Sequence, residues 1–246
     1  MMEGKLNTTL IVFGIIVLIG IMSFVYASGP EISTQGTASS DASPDEINVY
    51  ALVFTKNATL EGAQVENARI LNDLIRNLRY LGFDDEDIQY SNYYSGEYGE
   101  WQNGKYVNNG YQVSQTVTIK MKEFSKVSDV ITNVIDAGAG VQSVQFELSN
   151  EKKQDEQAKV AELASQDARK KAEAIASGQG KRLGRLVELR TDNLSYRPYP
   201  IYVADSSGSI GAEFSAEKVQ SAVRDIKPED IGISQTVYVK YKLSRF

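Results

Sequence analysis

The first clear pattern along the chain is an almost unbroken apolar run of eighteen residues, Leu10 to Ala27, following a short polar segment that contains Lys5. At about 1.5 Å per residue such a helix spans about 27 Å, enough for a tilted bilayer crossing. Two expectations follow: a retained membrane anchor, or a signal peptide cleaved after Ala27, where Val25-Tyr26-Ala27 precedes Ser28-Gly29. Either places the body outside the cytoplasm, because the lysine keeps the N-terminus inside. The division expected is therefore residues 1–30 as anchor or signal with a short linker, and residues 31–246 as the exported body. Ser, Gly, Thr and Pro dominate the next stretch, which reads as a linker with an irregular edge strand near Ile32–Gly36.

From Ile47 to Thr55 apolar residues occupy both parities: Ile47, Val49, Ala51 and Val53 on one face, Tyr50, Leu52 and Phe54 on the other. That pattern predicts a central strand covered on both sides. Between Leu60 and Leu81 the period becomes helical, with a stripe of Leu71, Leu74, Ile75, Leu78 and Leu81 and a stop at Gly82. A strand at about Ile88 to Ser95, tight turns at Asn103-Gly104 and Asn109-Gly110, and a return strand from Tyr111 to Lys122 follow. A second helix is predicted over Phe124 to Ala137 and a strand over Val141 to Ser149. The order β-α-β-β-α-β predicts a ferredoxin-like unit, its two helices on one face of a four-stranded sheet.

Beyond it lies an extension. Glu151 to Ser177 is a long helix with a narrow, small-residue stripe of Val160, Ala161, Ala164, Ala168, Ala172 and Ile175. A short strand over Arg185 to Arg190, a Ser/Gly/Pro/Tyr-rich loop from Asp192 to Ala216 and a strand over Ile231 to Leu243 complete the reading. The fold class expected is α+β: a ferredoxin-like unit extended by a long helix and two further strands, preceded by a transmembrane or signal helix. One echo crosses it. Val113–Lys122 and Ile233–Lys242 share Ser-Gln-Thr-Val, so Gln115 and Gln235 fall on apolar faces and need either water at a sheet margin or a polar partner.

Composition narrows the chemistry. The chain has no histidine and no cysteine, which removes Ser-His-Asp and Cys-His catalysis, thiol chemistry, disulfides and the commonest metal ligands. No catalytic, cofactor-binding or metal-binding residue is assigned, and the protein is read as a non-enzyme without a cofactor. A net charge of −6 argues against a nucleic-acid partner. Gly178 to Arg182 (GQGKR) lacks the spacing of a phosphate loop and reads as a helix stop, and Asp84 to Asp87 (DDED) lacks the alternation of a calcium loop and reads as a solvated turn. Tyr93, Tyr94, Tyr98, Trp101 and Tyr106 gather on the hairpin and suit contacts with a glycan or a protein, the competing reading being cross-strand pairing that merely stabilises the hairpin. Asn57 and Asn193 open glycosylation sequons.

The long helix carries DARKKAEAIASGQGKRLG (Asp167 to Gly184), which resembles the characteristic helix of the SIMPL-domain family. Pro44-Asp45, Asp87 to Tyr93, Gly110 to Met121 and Asp136 to Asn150 fall in the family's order, so the resemblance covers about Ile32 to Phe246. The sequence departs from the family at Pro228-Glu229-Asp230, where Pro-Gly is common, and at Thr37-Ala38, where a second glycine is often found. The resemblance implies an exported or periplasmic α+β protein, with members linked to oxidative-stress defence or surface antigenicity, that self-assembles. It brings no catalytic residues with it. The function expected is that of an extracytoplasmic, membrane-tethered protein acting through homo-oligomerisation or envelope contacts. The alternative is a glycan- or protein-binding module built on the hairpin at residues 93–111.

Overall fold

The computed structural model describes residues 15–17, 29–202 and 228–244, the side chains of Tyr199 and Tyr202 excepted. All but residues 15–17 of the expected anchor or signal helix, its cleavage point at Ala27 and most of the Ser/Gly-rich loop lie outside the described residues. Among the described residues no helix is long and apolar enough to cross a membrane. The elements are β1 (Glu31–Ala42), β2 (Glu46–Asn57), α1 (Leu60–Tyr80), β3 (Ile88–Gln102), β4 (Lys105–Met121), α2 (Val127–Asp136), β5 (Gly140–Glu147), α3 (Asn150–Gly178), β6 (Arg182–Thr191), β7 (Ser195–Tyr196), β8 (Tyr199–Tyr202) and β9 (Ile231–Ser244). The protein is α+β, and the chain forms two compact units.

The larger unit comprises Asp41–Gln154 and Tyr196–Gly232. Its sheet runs β3-β4-β2-β5-β8, with β2 antiparallel to both β4 and β5. With α1 and α2 as the crossovers, the first four of these strands have the split βαβ order read from the sequence. Ile47, Val49, Ala51 and Val53 of β2 are fully buried and pack with Ile70, Leu74 and Leu78 of α1 and Val127, Val130, Ile131 and Val134 of α2. Each such side chain contributes about 1.5–3 kcal/mol by leaving water. On the opposite face of β2, Tyr50, Leu52 and Phe54 are only half-buried, so the expected two-sided cover is incomplete.

Local chemistry sets the helix ends. Thr59 caps α1 by accepting the Gly62 amide at 3.1 Å, and Gly82 ends it at φ 87°. The buried row of α1 is Ile70, Leu74 and Leu78, while Leu71, Ile75 and Leu81 flank it half-buried. The predicted stripe was therefore displaced sideways, because Asn67 and Ala63 occupy inward positions that a hydrophobicity pattern overlooks. Asn67 donates to the carbonyls of Val53 and Val113 at 3.3 and 3.4 Å. Helix α2 begins after a 3-10 turn at Phe124–Lys126, and Phe124 stacks on Phe146 at 5.7 Å.

The hairpin differs from expectation. Only Asn103-Gly104 forms its turn, with positive φ at both residues (50° and 78°) as a two-residue type I′ turn requires. Asn109-Gly110 sits inside β4, next to a bulge where Tyr98 pairs with Gly110 and Gly99 with Asn108. The strands are thus longer than read, and β4 pairs with β2 only between Tyr111 and Met121. From Gly99 to Asn108 the two strands pair with each other alone, as an arm that extends past β2.

The smaller unit comprises residues up to Ser40, Asp155–Ser195 and Ile233–Phe246. Its sheet runs β1-β9-β6, with β7 beside β9. β1 is a regular strand of 12 residues, where an irregular one was expected. Helix α3 buries Val160, Ala164, Ala168, Ala172 and Ala176, a strict i, i+4 row. Ile175, assigned to this stripe from the sequence, is 51% exposed, and Ala161 is half-buried. The reason is the closeness of β1. At Gly36 a β-carbon would lie 2.0 Å from the Ala164 carbonyl oxygen and 2.3 Å from the Ala168 nitrogen, so the strand rests on the helix backbone and only alanine fits there. β6 starts earlier than predicted, and β8 lies within the stretch read as a loop.

Candidate functional site

The sequence-predicted aromatic residues all lie on the hairpin, but they do not form one patch. Trp101 and Tyr106 face each other across the strands, their rings edge to face at 6.0 Å. Tyr94 lies over Gly96, Tyr106 over Gly99, and Tyr98 beside Gly110, each ring occupying the space a side chain at that glycine would need. Lys56 sits 4.6 Å from the centre of the Tyr98 ring and 5.4 Å from that of Phe54. Tyr94, Tyr98 and Tyr106 therefore pack within the hairpin, a role of aromatic residues beside strand glycines. Trp101, 76% exposed, and Tyr93, 57% exposed, are the most outward-facing members, and Tyr94 and Tyr106 still expose 49% and 46%. The turn and the glycines were visible in the sequence. The bulge at Ser91/Tyr94, with Asn92 at φ 53°, was not, and it changes which tyrosines point outward.

The residues of the family-like motifs gather at structural joints. Asp45 accepts from the Ser149 amide and hydroxyl, both at 2.8 Å, and the Ser149 hydroxyl accepts the Lys152 amide at 3.3 Å. Thus the Pro44-Asp45 pair orients the residue that caps α3. Burial would by itself raise the Asp45 carboxyl, but the two Ser149 bonds and the nearby Lys152 outweigh it, and the pKa is lowered. Asp167 bonds Lys171 at 2.6 Å and accepts the Thr37 amide at 3.0 Å. Lys171 reaches the Gln35 carbonyl at 3.3 Å, and the Thr34 hydroxyl donates to the Ala168 carbonyl at 3.0 Å. The Lys171 bond, then the Thr37 bond, hold the Asp167 carboxyl below its ordinary range. The motif Asp-Ala-Arg-x-Lys-Ala thereby fixes β1 to α3: the acid and the lysine clamp the strand, and the alanines admit it.

Gly178–Arg182 is a helix stop, with Gly180 at φ 63° and the Lys181 amide bonded to the Ala176 carbonyl at 2.9 Å. In the acidic turn, Asp87 accepts the Asp84 amide and Asp85 pairs with Arg79 at 2.7 Å. Among the described residues no group of three or more metal-ligating side chains gathers. Asn57 ends β2 and is exposed, its side-chain oxygen taking the Thr59 amide at 3.2 Å, and Asn193 is exposed after β6. The paired glutamines sit in different sheets. Gln115 is half-buried opposite Val53 in the larger unit. Gln235 is 7% exposed in the smaller one and donates to the Asp192 carbonyl at 3.4 Å, while its own side-chain oxygen has no partner among the described residues.

An α+β protein whose recurrent motifs serve capping and strand–helix docking is defined by its scaffold. Comparison with known proteins places it accordingly. The SIMPL family model, described as "Protein of unknown function (DUF541)", matches residues 32–241, and the chain belongs to this family. It is similar to the "Uncharacterized protein YggE" of Edwardsiella ictaluri, 28% identical over 222 residues covering 88% of each chain. The protein of the same name from Escherichia coli strain K12 is 27% identical over 183 residues, 70% of each chain. The "26 kDa periplasmic immunogenic protein" of Brucella melitensis is 25% identical over 207 residues, covering 78% of this chain and 81% of that one.

Proposed function

We propose that the protein is an exported, membrane-tethered envelope component that acts without catalysis, through self-assembly or contacts with other envelope material, in defence against stress. The observation that carries this reading is the β3–β4 arm. A two-stranded ribbon is marginal in water on its own, yet this one extends past β2 and exposes Trp101, with Tyr93 exposed on β3 nearer its base. Such surface is typical of a contact region. Export is supported by the apolar N-terminal run and by the periplasmic designation of the Brucella relative. Without cysteine or histidine, protection from oxidants would act through assembly or binding, leaving Met, Tyr and Trp101 as the oxidisable groups.

The test is light scattering on the protein extracted from membranes in detergent, with Trp101→Ser and Tyr93→Ser compared against the parent. Higher oligomers that dissociate in these variants support self-assembly through the arm. A strict monomer at high concentration removes it. The second reading, a glycan- or protein-binding module, rests on the same arm. It predicts that a monomeric protein is retained on isolated envelope material and that the two substitutions release it.

A further inference from the structure

The sheet of the smaller unit carries α3 on one face, against which Val237 and Val239 are buried. Its other face bears a polar cleft of about 340 Å³. Three adjacent strands line it: β1 with Ser33 and Gln35, β9 with Tyr238 and Lys240, and β6 with Glu188 and Arg190. Lys240 lies directly opposite Glu188 and Tyr238 opposite Arg190, so the four form a compact rectangle.

In a chain of net charge −6, Arg190 and Lys240 both pair with Glu188 here, and the Asp192 carboxylate lies beside Tyr238. Arg190 contacts Glu188 through Nε at 2.9 Å, and Lys240 reaches the other carboxylate oxygen at 3.4 Å. Arg190 meets Glu188 through its Nε edge, and its side chain is 74% exposed, so the guanidinium is open to solvent. A guanidinium is a planar fork that suits a carboxylate in two-point contact. Tyr238 is held by its hydroxyl, which donates to Asp192 at 3.0 Å, leaving part of the ring facing solvent. The Asp192 bond also pushes the Tyr238 phenol pKa up.

A bare carboxylate or phosphate would leave most of this cleft empty. The remaining lining is a hydroxyl, an amide and an aromatic ring, the groups that meet sugar hydroxyls and the apolar face of a pyranose. We propose that this cleft binds an acidic sugar, its carboxylate on Arg190 and Lys240 and its hydroxyls towards Ser33 and Gln35. The site is separate from the hairpin arm and stands or falls independently of the assembly reading.

The experiment is saturation-transfer NMR on the full-length protein in detergent, with methyl β-D-glucuronide as the probe. Methyl β-D-glucoside serves as the neutral counterpart and inorganic phosphate as competitor. The expected result is saturable glucuronide binding, at least tenfold tighter than the glucoside and weakened as salt rises. Arg190→Gln and Lys240→Gln should each weaken it about tenfold, and Arg190→Lys should fail to restore it. Arg169→Gln, on the surface of α3 outside the cleft, should leave it unchanged and confirm folding. Equal binding of glucoside and glucuronide would overturn the anion site. Undiminished binding to Arg190→Gln would overturn its location. Displacement of the glucuronide by phosphate at matching concentration would overturn the sugar specificity.

Discussion

Replacing Gly36 with alanine should drive a methyl group into the backbone of α3. The added carbon would stand 2.0 Å from the Ala164 carbonyl oxygen, 2.3 Å from the Ala168 nitrogen and 2.8 Å from the Ala168 α-carbon. Non-bonded carbons rest about 3.5–4.0 Å from their neighbours, and backbone atoms cannot swing aside as a side chain can. β1 must therefore lift from α3 by roughly 1 Å or more at this point. That displacement stretches the bonds from the Thr34 hydroxyl to the Ala168 carbonyl and from the Thr37 amide to Asp167, both 3.0 Å. Each hydrogen bond contributes about 1 kcal/mol, and forcing extra volume into a packed site costs about 1–3 kcal/mol. Together the loss is about 3–5 kcal/mol, a large share of the about 5–15 kcal/mol available to a folded domain. The assay is urea unfolding followed by far-ultraviolet circular dichroism, with hydrogen exchange of the α3 amides to localise the effect. Gly178→Ala is the control, because nothing lies within 4 Å of its would-be β-carbon. It should stay within about 0.5 kcal/mol of the parent. A Gly36→Ala protein matching that control, with unchanged α3 exchange, would refute the close-approach argument.

Four further outcomes are expected. Ser149→Ala should cost about 1 kcal/mol by uncapping α3, read as a shift of the urea midpoint at constant slope. Because the folded Asp45 pKa lies below its ordinary 3.8, its contribution is fully present above that value and lost as pH falls through the folded one. Acid titration of Asp45→Asn should therefore lack this part of the destabilisation, and an unchanged acid profile would contradict the assignment. Gln235→Met should be neutral or stabilise by up to about 1 kcal/mol, since it removes a buried oxygen without a partner in exchange for one long bond; a loss above about 2 kcal/mol would show that the amide is satisfied. Gly104→Val should strain the turn at φ 78° by about 1–2 kcal/mol. Amide protection should then fall between Gly99 and Asn108 while α1 is unaffected, and equal loss in both would mean that the arm is not a separate element.

The β-α-β-β-α-β order was legible because its elements obey simple periods: β2 with its filled parities, α1 and α2 with apolar rows, glycine after each helix. The errors arose where backbone geometry overrode pattern. Asn109-Gly110 has the composition of a turn, yet Asn103-Gly104 already closes the hairpin, and the second pair was absorbed as a bulge. Ile175 was placed inward by its hydrophobicity, but the close approach of Gly36 admits only alanine and rotates the contact row to Ala176. β8 escaped notice because Tyr199–Tyr202 contains a proline, tolerated at a sheet edge and invisible to alternation. Of the candidate residues, the aromatics were legible as members of the hairpin, where Tyr94, Tyr98 and Tyr106 pack beside glycines. The cleft around Arg190 and Lys240 was missed, since its members come from three strands far apart in sequence and no spacing rule connects them.

In chain order β9 comes last of the three strands β1, β9 and β6, yet in space it lies between the other two. While the polypeptide is being made, α3 has no finished sheet to rest on, and β1 waits with one edge bare. Asp41–Gln154, by contrast, holds most of its unit in one continuous stretch and needs little from later residues. Completion of the smaller unit thus reports that synthesis has passed β9, and a chain arrested before it would display two orphaned strand edges. That arrangement makes truncated molecules conspicuous to proteases.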